Sequence, residues 1–188
     1  MTVLAPNDVT LDLGEGLEAE EILGLEEMAE EHQGAWPKGW YKFDVIEGFQ
    51  TRKGKTVQTG DSVSKDGASR NLKLCLKVYN GVEERNMIAS FNYRASDFSP
   101  ERIAFVKEKR EENKGVKGRW ADTDSQRSSL ALAAIGGLTK ALGFAPKIAN
   151  GSLVAGIYVG QSGDVYLGVD EKGFNEPRNF APLGTKTA

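Results

Sequence analysis

The chain has 188 residues, of which 39% are hydrophobic and 27% are charged, as is typical of a soluble globular protein. No apolar run approaches the roughly 20 residues that a membrane-spanning helix needs, and a single Cys and a single His are too few for an internal disulfide or a Cys/His zinc site. The charge is unevenly divided, because residues 1–34 hold ten carboxylates and no Lys or Arg, whereas the remainder holds all 24 basic residues against 17 acidic ones.

Residues 1–34 are predicted to form an acidic arm, followed at residues 35–188 by a basic domain. Between residues 15 and 33 the apolar side chains follow a rough helical stripe. The residues of this stripe are Leu17, Ile22, Leu25, Met28 and Ala29. Three roles stay open for the arm: a solubilising leader that contains His32, a segment that binds a replication or recombination protein, and a competitor for the basic surface of the domain.

Three strands are predicted at the start of the domain. In the first strand, which follows Trp36, Tyr41 and Val45 face the same way as Phe43. Residues 51–70 are polar, basic and punctuated by glycine, which predicts a long loop or a loose hairpin. Residues 72–79 alternate between leucine or valine and polar or aromatic residues, so they predict a half-buried strand with a basic and aromatic outer face. Residues 86–94 predict a third strand, whose register stays open.

Two helices follow these strands. Ser99 and Pro100 are a typical helix start, but residues 107–114 are almost entirely charged and should project into water or fray. The second helix is predicted to start near Asp124, with a capping box, and to end at Gly143. Its two adjacent glycines at 136–137 predict close backbone packing, because glycine inside a helix otherwise costs about 1 kcal/mol.

The chain is predicted to end in two or three more strands, at residues 153–159, 165–169 and 176–180, with a hairpin turn at 161–164. This order favours a mainly β protein with helices. The predicted architecture is an OB-like, five-stranded antiparallel Greek-key barrel, with helices inserted between the third and fourth strands. An α+β sheet that carries its helices on one face is the main alternative.

Enzymatic motifs are not convincing in this sequence. The segment Thr-Arg-Lys-Gly-Lys-Thr at residues 51–56 ends like a phosphate-binding P-loop, but five residues separate Gly48 from Gly54 where that motif has four. No set of carboxylates has the spacing of a nuclease site. We therefore expect a protein without catalysis and without a cofactor, and a metal-dependent nuclease ranks behind the binding functions.

Basic residues interleaved with aromatic ones are the combination that single-stranded nucleic acid requires, because cations neutralise the backbone and each base can stack on an aromatic ring. The predicted stacking residues are Tyr79 and Trp120, with Trp40 or Phe49 as further candidates. The predicted basic residues of this interface are Lys42, Arg52, Lys53, Lys55, Arg70, Lys73, Lys77, Arg94 and Arg119.

Several segments carry a resemblance to a known family. They are Pro-Lys-Gly-Trp-Tyr at 37–41, the turn at 51–54, the strand at 72–78 with Gly81, the helix at 126–143 and the last strand with Asn179. Together they resemble the OB-fold single-stranded-DNA-binding proteins of bacteriophage replication and recombination modules, over residues 36–183. The resemblance implies a fold and a binding function, and no catalytic residue.

We therefore expect a single-stranded DNA-binding protein that acts in DNA replication or recombination. Its lone Cys75 and the absence of a secretory signal at the N-terminus predict a cytoplasmic location, which is the host cytoplasm if a phage encodes it. The expected partners are single-stranded DNA, a replication or recombination protein held by the acidic arm, and further copies of the chain, with no membrane. The alternative is a phage structural or assembly protein whose acidic arm is an interaction peptide.

Overall fold

The computed structural model describes residues 34–187, except residues 52, 66 and 119. The boundary between the two structural units of the chain falls between Ala35 and Trp36. The predicted arm helix and His32, and two of the predicted interface residues, Arg52 and Arg119, lie outside the described residues.

Ten strands and two α-helices make up the second unit as far as the structure describes it. Strand β1 pairs antiparallel with β5 on one side and with β9 on the other, and β10 pairs with β9. Strand β5 also pairs with β6 and, through its first residues, with the short β4. The strands are β1 Gly39–Ile46, β2 Gly48–Gln50, β3 Thr56–Gln58, β4 Gly60–Val63, β5 Arg70–Tyr79, β6 Glu84–Tyr93, β7 Ile148–Ala149, β8 Ser152–Leu153, β9 Ser162–Val169 and β10 Asn175–Ala181, and the helices are α1 Pro100–Glu112 and α2 Thr123–Leu142.

The main sheet curls until its edge strands β6 and β10 approach each other. The rings of Phe91 on β6 and Phe180 on β10 lie 5.7 Å apart between centroids, and α2 packs against both strands. Burial of one face of β1, β5, β6 and β9 drives this curling, because the leucine-rich face of β5 needs apolar partners. The fold is thus mainly β, a curled antiparallel sheet with two helices, and it belongs to the α+β class.

The core lies inside the curled sheet. The predicted inward residues of β1 and β5 are buried as expected, including Phe43, Val45 and Leu74, all at most 1% exposed, except Tyr41, which is only partly buried. The register left open for β6 is now decided, since Ala89, Phe91 and Tyr93 are buried. The core residues share complete or nearly complete burial and are Trp36, Phe43, Val45, Leu72, Leu74, Leu76, Val78, Ala89, Phe91, Tyr93, Ala131, Ile135, Leu138, Leu153, Tyr158, Val165 and Leu167.

The basic segment predicted as a long loop or a loose hairpin is more regular than expected. Strands β2 and β3 form a hairpin, called here the finger (residues 48–58), that leaves the sheet between β1 and β4. Thr59 closes its base: the Thr59 backbone N–H donates to the Glu47 carbonyl at 2.7 Å, and the hydroxyl donates to the Ile46 carbonyl at 2.7 Å. The same hydroxyl accepts from the backbone N–H of Cys75 at 2.9 Å.

Gly48 is the residue on which the finger most depends. A Cβ atom at this position would overlap the carbonyl oxygen of Val57 on the facing strand. Replacing Gly48 by alanine is expected to speed amide hydrogen exchange in the finger about 5- to 150-fold, because overpacking costs about 1–3 kcal/mol and is relieved by opening the hairpin. Gly60→Ala is the matched control, since nothing lies within 4 Å of a Cβ there; equal protection in both variants would contradict the prediction.

The helix starts and stops agree closely with the sequence signals. Ser99 is the N-cap of α1 and accepts from the Arg102 backbone N–H, as predicted. Helix α2 ends at Gly143, which has a left-handed conformation with φ 79°. The predicted start of α2 near Asp124 is one residue late, since the helix begins at Thr123. Its N-cap is Asp122, which accepts from the backbone N–H groups of Asp124 and Ser125.

Two other predictions about the second half of the domain are wrong. Residues 153–159 do not form a strand: β8 ends at Leu153, and Ala155–Tyr158 is a 3-10 helix. This segment closes one end of the sheet, where the buried Tyr158 ring packs against Phe144 at 5.3 Å. The glycines at 136–137 do not mark close packing either, because both are exposed and no atom lies within 4 Å of a Cβ added at either position.

A polar cluster joins the end of β6 to both helices. Arg94, directly after β6, donates to the carboxylates of Asp97 and Asp124 and to the Ser128 hydroxyl on α2. Arg102 on α1 donates to Asp124 at 2.6 Å. The hydrogen bond from Arg94, the largest cause, lowers the pKa of Asp124 below its usual range. None of the described helices is long and apolar enough to cross a membrane.

Candidate nucleic-acid interface

The side chains that alternate with the core residues on β1, β5 and β9 lie on one face of the sheet, called here the outer face, in which Cys75 and Asp164 are themselves buried. Register places Trp40 opposite Tyr166, and Lys42 opposite both Asp164 and Tyr79. Asp44 lies opposite Lys77 in the next row. Rows on one face of a strand are about 6.6 Å apart, at twice the rise per residue, so these groups are close neighbours although they are distant in the sequence.

An aromatic pair lies at one end of the outer face. The ring of Trp40 meets the ring of Tyr166 edge-on, with centroids 5.6 Å apart. The ammonium group of Lys186 lies 5.9 Å from the centroid of the Trp40 ring. Trp40 and Tyr166 are both only partly buried. This edge-to-face arrangement is a favoured geometry for aromatic pairs, and it leaves a partly exposed aromatic surface beside a cation.

Tyr166 and Lys186 were not among the predicted interface residues. Tyr166 had a usable signal, because it alternates with Val165 and Leu167, whose burial turns it outward. Lys186 had none, since it lies in the polar tail after β10 and reaches Trp40 only through the fold.

Tyr79 lies on the outer face as predicted, but its hydroxyl is engaged. It donates to the Asp44 carboxylate at 2.7 Å, and this hydrogen bond, together with burial, raises the pKa of Tyr79 to about 12. Ser162 donates to the other oxygen of Asp44. The hydroxyl is therefore held against the sheet, and the ring edge remains half-buried next to Lys42.

Three lysines supply cations for this surface. Lys42 and Lys73 are exposed, and neither forms a side-chain ion pair with any residue that the structure describes. Lys77 is paired with Glu84 on β6 at 3.1 Å. Lys42 and Lys73 are each free to contact a phosphate. Lys77 would first have to break its ion pair with the half-exposed Glu84.

Arg70 and Arg94 are not on the outer face. Arg70 follows the alternation of Leu72, so it is directed to the opposite side of β5, where it pairs with the buried Asp61 carboxylate at 2.7 Å. Hydrogen bonding to Asp61 raises the pKa of Arg70 above its ordinary value. Arg94 belongs to the cluster that joins β6 to the helices. The structure therefore gives both arginines partners within the chain, and their phosphate contacts stay a prediction.

The remaining predicted residues lie on two other elements. Phe49 pairs with Val57 across the finger, and Lys53 and Lys55 are exposed at its tip. Trp120 is half-buried in the loop between α1 and α2. The outer face thus brings Trp40, Lys42, Lys77 and Tyr79 into adjacent rows and carries Lys73 farther along β5, beyond the buried Cys75, while the finger and the loop carry the others separately.

Asp164 on β9 anchors the residues that follow β10. Its carboxylate accepts from the backbone N–H groups of Gly184, Lys186 and Thr187 at 2.8–3.2 Å and from the Thr187 hydroxyl at 2.7 Å. The side chain is fully buried. Burial by itself raises the pKa of Asp164, but these hydrogen bonds outweigh it and the pKa is lowered.

Among the described residues, no group of three or more His, Cys, Asp or Glu side chains could hold a metal ion. Comparison with known proteins gives no match of any kind: no family model fits the chain, and no curated protein or solved structure is found to be similar to it.

Proposed function

We propose that the chain is a single-stranded DNA-binding protein that acts in replication or recombination without catalysis. The observation that carries the proposal is the outer face, where the Trp40–Tyr166 pair lies beside the Lys186 ammonium and one row from the unpaired Lys42. Aromatic platforms next to cations suit a flexible single strand, because stacking is open to every base and the cations follow the backbone.

The strand order supports an OB-type barrel as the architecture. Strands β1, β5 and β6 follow one another as an antiparallel meander, α1 and α2 come next, and β9 then returns to pair with β1. Strand β10 pairs with β9 and approaches β6. We infer that β1, β5, β6, β9 and β10 form the barrel, with β4 and the finger as an insertion after β1 and with residues 175–181 in place of the expected strand at 153–159.

Duplex reading is a poorer fit to this surface. A recognition helix needs an exposed face that fits the major groove, whereas α2 buries Ile135 and Leu138 against the sheet. A curved sheet face with half-exposed rings instead contacts bases that are already unpaired. The lysines would contact the phosphates between them.

The test is binding of a fluorescent oligothymidylate to the full chain across a range of salt concentrations. We expect log Kobs to fall linearly with log salt, with a slope of about −2 if Lys42, Lys73 and Lys186 each displace one counterion, at about 0.7 per phosphate contact on a single strand. A blunt duplex of the same length is the control and should bind more weakly. Binding that is no tighter at about 50 mM than at about 500 mM salt would refute the proposal.

The same assay separates the alternatives. If the chain does not bind oligonucleotides at low salt but is present in purified virions, it is an assembly protein. Shortening of the oligonucleotide on addition of Mg²⁺ would indicate a nuclease.

A further inference from the structure

The segment after β10 folds back across the outer face. The chain turns at Pro182, whose carbonyl accepts from the Thr185 backbone N–H at 3.1 Å and from the Thr185 hydroxyl at 2.7 Å. Residues 184–187 then lie over Asp164, which is the cross-strand neighbour of Lys42. This segment, called here the tail (residues 182–187), borders the aromatic pair.

Asp164 has the chemistry of an anchor. Its buried carboxylate accepts four hydrogen bonds, and all four come from the tail. Within the part of the chain that the structure describes, Asp164 forms no ion pair, so the tail alone satisfies the buried charge. A buried carboxylate without these donors would be costly, and docking of the tail is therefore tied to the charge of Asp164.

Docking of the tail puts Lys186 on the Trp40 ring. The ammonium group lies 5.9 Å from the ring centroid, which is within reach of a cation–π contact. Lys186 is exposed, and an exposed cation is a weak partner for a ring compared with a stacked base. A base that stacks on Trp40 would displace the ammonium, and the nearest anion available to it would be a phosphate of the same strand.

We propose that Asp164 is a positioning residue of the strand-binding site. It holds the tail so that Lys186 rests on Trp40 in the free protein and moves to a backbone phosphate when a base takes its place. This inference rests on the proposed function. It adds a residue and a segment to the site that the alternation of the strands does not disclose.

Replacing Asp164 by asparagine tests the proposal. One carboxylate oxygen accepts from the Gly184 backbone N–H and the Thr187 hydroxyl, and the other accepts from the backbone N–H groups of Lys186 and Thr187. In either orientation, the NH2 group of an asparagine would face a backbone N–H of the tail, so one side would lose its hydrogen bonds. We expect faster amide exchange at Lys186 and Thr187. We also expect oligothymidylate binding about 5-fold weaker near 0.1 M salt and a slope shallower by about 0.7, the values for one lost phosphate contact.

The sign of the effect is diagnostic. Removing an acid from a DNA-binding face normally strengthens binding through the general field, whereas the proposal requires weaker binding. Glu171→Gln is the matched control, because it removes the same charge from an exposed turn and should bind at least as well as the wild type. Lys186→Gln, which alters only a surface side chain, should reproduce the lost affinity and slope, and adding Asp164→Asn to it should cost nothing further.

Each result decides something. Faster tail exchange in Asp164→Asn together with wild-type affinity and slope would overturn the positioning role, and so would a wild-type slope in Lys186→Gln. Unchanged tail exchange would overturn the anchoring itself. If the wild-type chain shows no salt-dependent binding, both the proposed function and the positioning role of Asp164 are refuted. The exchange data would still show whether Asp164 holds the tail.

Discussion

Replacing Trp40 by alanine is expected to weaken oligothymidylate binding about 5- to 150-fold, since stacking of a base on an aromatic ring is worth about 1–3 kcal/mol. Trp40 is the partly buried ring at one end of the outer face, with the Tyr166 ring at its edge and Lys186 beside it. Its loss removes both the ring on which a base would stack and the ring that the Lys186 ammonium contacts in the free protein. Fluorescence anisotropy at a fixed low salt concentration measures the change.

Tyr166→Ala should weaken binding as well, and the double variant should lose less than the sum of the two single losses. The rings are in contact, and residues in contact are not additive. Phe105→Ala is the matched control, because Phe105 is a 39% exposed ring on α1, outside the sheet. A larger loss from Phe105→Ala or Trp120→Ala than from Trp40→Ala would place the strand on the helices and contradict the assignment of the outer face.

Replacing Asp97 by alanine is expected to lower the free energy of unfolding by about 3–5 kcal/mol, the range for removing one partner of a buried ion pair. The Asp97 side chain is 1% exposed. It accepts from the Arg94 backbone N–H at 2.8 Å, from the Arg94 guanidinium at 3.2 Å and from the Ser128 hydroxyl at 2.7 Å. Alanine leaves the Arg94 backbone N–H and the Ser128 hydroxyl without this acceptor where little water reaches them, while the Arg94 guanidinium keeps its contact with Asp124.

Urea unfolding followed by circular dichroism measures this loss. Glu111→Ala is the control, since it removes an acid from an ion pair with Lys114 in which both side chains are more than three-quarters exposed, and such pairs contribute little. Asp97→Asn should lie between the wild type and Asp97→Ala. Equal unfolding free energies for Asp97→Ala and Glu111→Ala would mean that the cluster does not hold the helices to β6.

The parts of the interface that could be predicted are those with a local pattern. The alternation along β5 correctly assigned Lys73, Lys77 and Tyr79 to the face opposite the core. The same reasoning could have found Tyr166, between two buried residues of β9. Arg70 shows the opposite case, because the alternation along β5 already places it on the same side as the buried Leu72. It was assigned to the interface for its charge, against that alternation.

Other features had no local signal. The sequence near Arg94 does not disclose that Asp124 and Ser128 on a later helix will surround its guanidinium. Residues 153–159 have the apolar character of a strand, yet Ala155–Tyr158 within them forms a 3-10 helix that buries the Tyr158 ring against Phe144. In both places long-range packing outweighs local preference, as it does generally for short apolar segments.

The sequence by itself determined the order of most of the main elements, the inner and outer faces of β1 and β5, and the capped ends of the helices. These depend on neighbours within a few residues of one another: the alternation of β5, Ser99 as an N-cap and Gly143 as a helix stop. Only the tertiary structure decided which outward residues meet. The pairing of β1 with β9 brings Tyr166 to Trp40, and the buried charge of Asp164 draws Lys186 to the same ring. Strand register and the need to satisfy a buried carboxylate are properties of the folded chain, which no local pattern contains.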